Sequence, residues 1–220
     1  MCGRFTLTAE EETILSYLNL DHKPMTWKPR YNIAPTQSVL SCIKHQDAMR
    51  IGTLQWGLIP HWAKDSKIGS KLINARSETV MQKPSFKNSF ARKRCIIIAD
   101  GFFEWKQNED GKQPLYITLK DQPLFAMAGL YDTWQDEHEK KIHTCTILTT
   151  KANTFMEHIH QRMPVILKRN HIDSWLMPKQ SIPTLQSLMQ PYHAHEMRAI
   201  PVTKKMGNAA FDSPECIQPI

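Results

Sequence analysis

The sequence predicts an α+β fold: a single domain over residues 1–220 whose mostly antiparallel, curved or barrel-like β-sheet has helices inserted between its strands. Three observations carry this. Several short runs have the β-branched or alternating character of strands and are bounded by turn residues. Helical periodicity is confined to short segments scattered among those runs. No repeat, low-complexity tract or linker divides the chain, and 220 residues of which 41% are hydrophobic suffice for one sizeable core.

Taken in order, Thr8-Ala9-Glu10-Glu11 reads as a capping box, with Ile14, Leu15 and Leu18 on one face of a helix that ends before Asp21. Lys28 to Pro35 carries two prolines and reads as a loop. Ser38–Lys44 and Arg50–Leu58 read as strands separated by the polar Gln46-Asp47. Ala63–Ser70 is loop-like, and Ile73–Thr79 is expected to enter a helical turn. Pro84–Lys93 is helix-compatible, with Phe86 and Phe90 four apart and able to face the core. Cys95–Ala99 suits a buried strand. Asn108-Glu109-Asp110-Gly111 signals a turn before a strand at Leu115–Leu119. Leu124–Leu130 and His143–Thr149 continue the strand pattern. Asn153 is placed to cap a helix running to about His160, and Gln161–Pro164 breaks it. Val165–Leu167 is a short strand, His171–Met177 and Thr184–Met189 are short helices, Met197–Val202 is strand-like, and a loop runs from Asn208 onward.

Composition excludes some classes and leaves others open. No apolar run is long enough to cross a bilayer, and no leader pattern is seen, so a cytoplasmic protein is expected, nucleoid-associated when bound to DNA. The five cysteines, Cys2, Cys42, Cys95, Cys145 and Cys216, are odd in number and irregularly spaced, which argues against a disulfide framework. No CxxC pair is present, and His138 and His143 are five apart rather than four, so no metal site and no cofactor are expected. A net charge of +7 is compatible with nucleic acid without identifying it.

The N-terminal Met1-Cys2-Gly3-Arg4-Phe5 is the chemically informative stretch. Loss of Met1 would leave Cys2 with a free amine and a thiol on adjacent carbons. Such a 1,2-aminothiol can condense with an aldehyde and close to a thiazolidine, or act as a nucleophile with its own amine as base. The plain alternative is that Cys2 is a buried small hydrophobe. Three more segments hold polar residues that packing does not demand: Asn74-Ala75-Arg76-Ser77-Glu78, Asp100-Gly101-Phe102-Phe103-Glu104-Trp105 and His158-Ile159-His160-Gln161-Arg162-Met163-Pro164. Alone, Glu104 reads equally as an ion-paired strand carboxylate, Asn74 as a helix cap and His160 as a core histidine.

Together with RYNIAP, WGLIPHW, KQPLYI and the closing IPV and GN, these segments span almost the whole chain in one order. In that order the chain resembles the SRAP family, the SOS-response-associated peptidases, whose members crosslink to abasic sites in DNA. The resemblance implies the SRAP fold and a covalent thiazolidine link from Cys2 to the ring-opened sugar of an abasic site in single-stranded DNA, protecting the lesion during the damage response. It implies catalytic roles for Cys2 as nucleophile, Asn74 as its positioner, Glu104 as acid/base in ring opening, and His160 as partner of the freed hydroxyl. It points to Arg4, Arg76 and Arg162 for phosphate contacts and to Trp62 and Trp105 for stacking or wall positions. Lyase activity, removal of Met1 by self-cleavage or an aminopeptidase, and a monomer are expected with it.

Electrostatics fits a DNA partner: Lys28, Arg30, Arg76, Lys83, Lys87, Arg92, Lys93 and Arg94 supply positive charge, interleaved with Phe86 and Phe90. Rival readings are an N-terminal-nucleophile amidohydrolase, a cysteine peptidase built on Cys2, His160 and Asn74, and a non-covalent reader of modified DNA.

Overall fold

The computed structural model describes residues 2–21, 27–46 and 48–220. Met1 and Asp47 therefore lie outside the described residues.

Two sheets share one principal core. The larger contains a closed ring of five strands: β3 (Ser38–His45), β4 (Ala48–Trp56), β6 (Arg94–Ala99), β9 (Phe125–Gln135) and β10 (Lys141–Lys151). β10 pairs with β4, β4 with β3, β3 with β6, β6 with β9, and β9 returns to β10. Closure removes the unpaired edges that an open sheet of this length would expose. The expected barrel-like, mostly antiparallel sheet is thus present. Its parallel pairings are β10 with β4 and β10 with the short β5 (Asn74–Arg76). β11 (Arg162–Pro164) and β12 (Ile166–Leu167) extend the barrel along β10 and β9. Little space remains inside: a Cβ on Gly129 would lie 2.3 Å from Ile97 Cδ1.

The second sheet has the order β13 (Met197–Pro201), β8 (Gly111–Leu119), β7 (Gly101–Asn108), β1 (Phe5–Leu7), β2 (Arg30–Ile33), all antiparallel. It holds the N-terminal segment between β7 and β2. Asp100 is the joint, since it sits between β6 of the barrel and β7 of this sheet. Its carboxylate accepts from the Thr6 hydroxyl, the Thr8 amide, the Thr8 hydroxyl (2.7 Å) and the Ala9 amide (3.2 Å). Four donors on one carboxylate compensate its desolvation and fix the path of β1. Phe5 and Leu7 are fully buried, each worth roughly 1.5–3 kcal/mol against exposure. Phe5 packs edge-on against Trp56 at 5.3 Å. Gly101 opens β7 where Tyr116 crosses it: a Cβ there would come 2.2 Å from the ring, so only glycine permits the approach.

Several local expectations change. The helix α1 (Glu11–Leu18) buries Ile14, Leu15 and Leu18, but its N-cap is Glu10 with no side-chain bond. The Thr8 capping box does not form because the Thr8 hydroxyl is taken by Asp100. The segment read as a proline loop contains β2, because Pro29 and Pro35 flank the strand and β2 is an edge strand. Asn74–Arg76 is a strand rather than a helical turn, drawn out by pairing with Ile147–Thr149 of β10. Asn153 does cap, accepting the Met156 amide at 2.8 Å, but the element it caps is only a short 3-10 turn, Met156–His158. A 3-10 helix, Ser66–Lys71, occupies part of the expected loop. The remaining helices, α2 (Lys87–Arg92), α3 (Ile172–Leu176) and α4 (Ile182–Leu188), fall where expected. Phe86 and Phe90 are buried.

Candidate functional site

Cys2 lies at the start of the β1 segment and is completely buried. The ladder to β7 continues past Phe5, since the Phe103 amide donates to the Arg4 carbonyl at 2.9 Å. That register lays Cys2–Arg4 beside Phe103–Trp105 and so beside Glu104. Across the other side, Asn74 Nδ2 donates to the Cys2 carbonyl at 3.0 Å. Trp56 ties the two together, packing edge-on against Phe5 and donating Nε1 to the Ile73 carbonyl at 2.9 Å.

β10 brings in the rest. Its residues Ile147–Thr149 pair with Asn74–Arg76, and Thr149–Lys151 pair with Arg162–Pro164. β10 therefore carries Asn74 on one flank and the strand that follows the His160–Arg162 turn on the other, although 86 residues separate Asn74 from His160 in the chain. His160 is half-buried. Its Nδ1 accepts the Arg162 amide at 3.0 Å, with the Arg162 carbonyl 3.1 Å away. Accepting at Nδ1 leaves the neutral ring's proton on Nε2.

The charges are mutually perturbed. Glu104 is 2% exposed, and burial pushes its carboxyl up to about 7, against an opposing pull from the chain's N-terminal ammonium. Burial, and then the Glu104 charge, push the Cys2 thiol far above its usual range. Burial holds the His160 imidazole below its usual value, helped by the N-terminal ammonium and the Arg162 guanidinium, while its Arg162 backbone hydrogen bond opposes this. The same positive terminus acts on Cys2, Glu104 and His160, so all three share one field. The arrangement offers a neutral thiol, a carboxyl able to give or take a proton near pH 7, and a neutral imidazole.

The arginines separate. Arg162 forks onto Glu78 at 2.9 and 3.0 Å and also reaches the Thr149 carbonyl at 2.6 Å. Partial burial pushes the Glu78 carboxyl up, but Arg162, its own amide and Arg76 together hold it below the usual range. Arg76 is exposed beside them. Arg4 turns away: its guanidinium bonds Asn32 Oδ1, the Met206 carbonyl and the Gly207 carbonyl, each at 3.0 Å. Trp62 is 49% exposed on the loop after β4, and Trp105 is half-buried against the smaller core of Phe103, Tyr116 and Met206. Arg94, counted among the surface charges, is instead buried and donates to the Phe90, Ala91 and Trp175 carbonyls. Its desolvation is compensated by closing the ends of α2 and α3, which no local pattern announces.

Residues that sequence reasoning passed over hold the segments around the site. Asn32 donates Nδ2 to the Met206, Asn208 and Phe211 carbonyls while accepting from Arg4, so it stitches the C-terminal loop under the N-terminal segment. Asp212 answers from that loop, accepting from Arg30 and the Tyr31 and Asn32 amides. Thr149 and Glu78 organise Arg162. The available signal was a polar residue set in a strand-like run, as at Asn32 between Tyr31 and Ile33.

A family model described as SOS response associated peptidase (SRAP) matches residues 1–209. The chain belongs to the SRAP family. It is 48% identical over 222 residues to the abasic site processing protein YoqW of Bacillus subtilis (strain 168), covering 99% of both chains. To the Gallus gallus abasic site processing protein HMCES it is 34% identical, covering 88% of this chain and 67% of that one. Among solved structures, a protein from Bacteroides thetaiotaomicron superposes with a TM-score of 0.89 at 28% identity, with 100% of both chains covered. This SRAP chain carries the buried Cys2 and Glu104 with the half-buried Asn74 and His160 around its N-terminal segment, Arg76 exposed and Arg162 paired to Glu78 beside them, and Arg4 bonded to Asn32 and the C-terminal loop.

Proposed function

We propose that this protein processes abasic sites in DNA by forming a covalent crosslink through Cys2, acting as a single domain on lesions in single strands. The observation that carries the reading is the buried Glu104 carboxyl, held near neutrality and acting electrostatically on the Cys2 thiol, with Asn74 gripping the Cys2 carbonyl. The names of the relatives support the substrate.

Removal of Met1 turns the Cys2 nitrogen from an amide into an amine. The abasic sugar is a cyclic hemiacetal. Glu104 gives a proton to the ring oxygen as the C1′ hydroxyl loses one, which opens the ring to an aldehyde and a free C4′ hydroxyl. His160 holds that hydroxyl. The Cys2 amine adds to the aldehyde and expels one water to give an imine. The thiol then adds across the C=N bond, its sulfur to carbon and its proton to nitrogen, closing a thiazolidine. The raised thiol pKa fits this order, because a protonated thiol is a poor first nucleophile and supplies the proton the ring closure needs. The same property disfavours a general cysteine peptidase; cleavage of Met1 alone would need only water activated by Glu104. Elimination of the 3′ phosphate from the imine, a lyase reaction, competes with ring closure. Arg76 and Arg162 are the phosphate contacts, and Trp62 offers a face to a base.

The test is incubation of the processed protein with a single-stranded oligonucleotide bearing an abasic site, and then a denaturing gel. A heat-stable shifted band is expected, and it should vanish in Cys2→Ala and in a chain that retains Met1. No band from the processed wild type sinks the proposal. Glutamine hydrolysis without a band would favour the amidohydrolase reading, and reversible binding indifferent to Cys2→Ala would favour a non-covalent reader.

A further inference from the structure

The Arg162 fork is already occupied in the free protein. Its Nη1 donates to Glu78 Oε1 at 2.9 Å and its Nη2 to Glu78 Oε2 at 3.0 Å. Two parallel N–H groups on one anion are also the geometry in which arginine holds a phosphate. The Glu78 carboxylate therefore takes the edge that a strand phosphate would need. Arg76 of the same segment acts on it as well. Against partial burial, which raises the Glu78 carboxyl, Arg162, the residue's own amide and Arg76 hold it below its usual range. One carboxylate thus offsets part of the charge of both arginines assigned to phosphate contact.

The two partners are not equally fixed. The Arg162 side chain is 16% exposed and that of Glu78 is 49% exposed. Arg162 Nη2 also donates to the Thr149 carbonyl at 2.6 Å, and the same carbonyl accepts the Ser77 amide at 2.9 Å. The Arg162 amide donates to His160 Nδ1 at 3.0 Å, and the residue pairs with Lys151 of β10. These contacts hold the guanidinium in place when the ion pair opens. The carboxylate is the member that swings out to water. An ion pair with a half-exposed partner is weak enough to exchange.

We propose that Glu78 is a built-in competitor for DNA: its carboxylate fills the Arg162 fork in the free protein and exchanges with a backbone phosphate when a strand binds. This rests on the proposed DNA function. The exchange weakens every encounter by the same factor. An intact strand then leaves, whereas an abasic site is retained by the covalent bond to Cys2. Glu78 so shortens occupancy on undamaged DNA without slowing the chemistry.

The experiment compares the wild type with Glu78→Gln and Glu78→Asp. The first removes the charge; the second keeps it on a side chain one methylene shorter, withdrawn from the fork. Glu157→Gln, an exposed carboxylate on the turn before His160, controls for bulk charge. Fluorescence anisotropy with an undamaged single strand reads affinity, and crosslinking is timed at limiting and at saturating abasic oligonucleotide. Glu78→Gln is expected to bind the undamaged strand about fivefold tighter, ~1 kcal/mol. Glu78→Asp should move the same way, and Glu157→Gln should stay within about twofold of wild type. Crosslinking by the Glu78 variants should be faster at limiting oligonucleotide and equal to wild type at saturation. Melting curves check folding, and either Glu78 variant alone decides the question if the other does not fold. Weaker binding by the Glu78 variants would make Glu78 a support for Arg162 and overturn the proposal. A gain no larger than that of Glu157→Gln, with Glu78→Asp unchanged, would reduce it to net charge and overturn it too. If the wild type does not crosslink, the function proposed above fails, and the anisotropy comparison still decides whether Glu78 competes with a strand.

Discussion

Asn74 donates its side-chain amide to the Cys2 carbonyl at 3.0 Å, while its own Oδ1 is buried with no hydrogen-bond partner among the described residues. A buried acceptor left open costs stability unless something fills it. With Nδ2 on the Cys2 carbonyl, the expected partner for Oδ1 is an ammonium proton on Cys2 once that residue is terminal. Asn74→Ala should therefore slow crosslinking about tenfold or more, and lower stability by only about 1 kcal/mol. Time courses and melts on one preparation check both. A crosslinking rate equal to wild type would remove Asn74 from the mechanism.

Glu104 predicts a pH dependence of stability. Its carboxyl sits at about 7 in the folded chain against an ordinary 4.5. The stability it confers is complete below 4.5, where both states are protonated. It is lost as pH rises toward 7, because the unfolded state releases the proton first. At about 1.4 kcal/mol per unit the loss is about 3 kcal/mol. Denaturant melts of wild type against Glu104→Gln should diverge over that window, the variant lacking the decline. Parallel curves would contradict a buried, protonated Glu104.

The crosslinking rate should be bell-shaped in pH. The acid limb belongs to the Cys2 amine, which must be deprotonated and has a reference value of roughly 7.7–8.0. The alkaline limb belongs to Glu104, which must hold a proton to open the ring. Glu104→Gln should abolish the alkaline limb along with most of the rate. An alkaline limb that survives in the variant would assign it to another group.

His160 is expected to titrate below its ordinary 6.5, since burial opposes the charged ring. Its contribution to stability is present above 6.5 and is lost as pH falls through the lower folded value. An NMR titration of the imidazole reads this directly. A midpoint at or above 6.5 would contradict desolvation as the dominant influence on this imidazole.

Arg4 should behave as a fastener rather than a DNA contact. Its three bonds to Asn32, Met206 and Gly207 hold the C-terminal loop under the N-terminal strand. Arg4→Met is expected to cost about 2 kcal/mol and to leave single-strand affinity, measured well below the melting temperature, within twofold. A large loss of affinity without loss of stability would return Arg4 to the phosphate path.

Much of this was legible along the chain. The all-apolar run Cys95–Ala99 suited a buried strand, and β6 is buried throughout. Ile14, Leu15 and Leu18 marked the buried face of α1. Cys2, Asn74, Glu104 and His160 stood out as polar or nucleophilic residues in ordered motifs. Segments misread along the chain, such as β2 and β5, are short strands whose form comes from a partner: β5 is three residues long and is extended because β10 lies beside it. Propensity over so few residues is weaker than one ladder of hydrogen bonds.

What the sequence determined by itself was the inventory: which runs alternate, which are apolar throughout, and which polar or nucleophilic side chains sit in ordered motifs. Those properties are local, set by side-chain character and backbone preference within a few residues. Closure of the barrel, the meeting of Asn74 with Cys2 and the pairing of Glu78 with Arg162 were decided by tertiary structure alone. So were the opposite fates of Arg4, turned inward to the C-terminal loop, and Arg76, left exposed. The reason is that a buried donor or charge takes whichever partner the packed chain brings within about 3 Å, and that partner can lie 202 residues away, as the Met206 carbonyl does from Arg4.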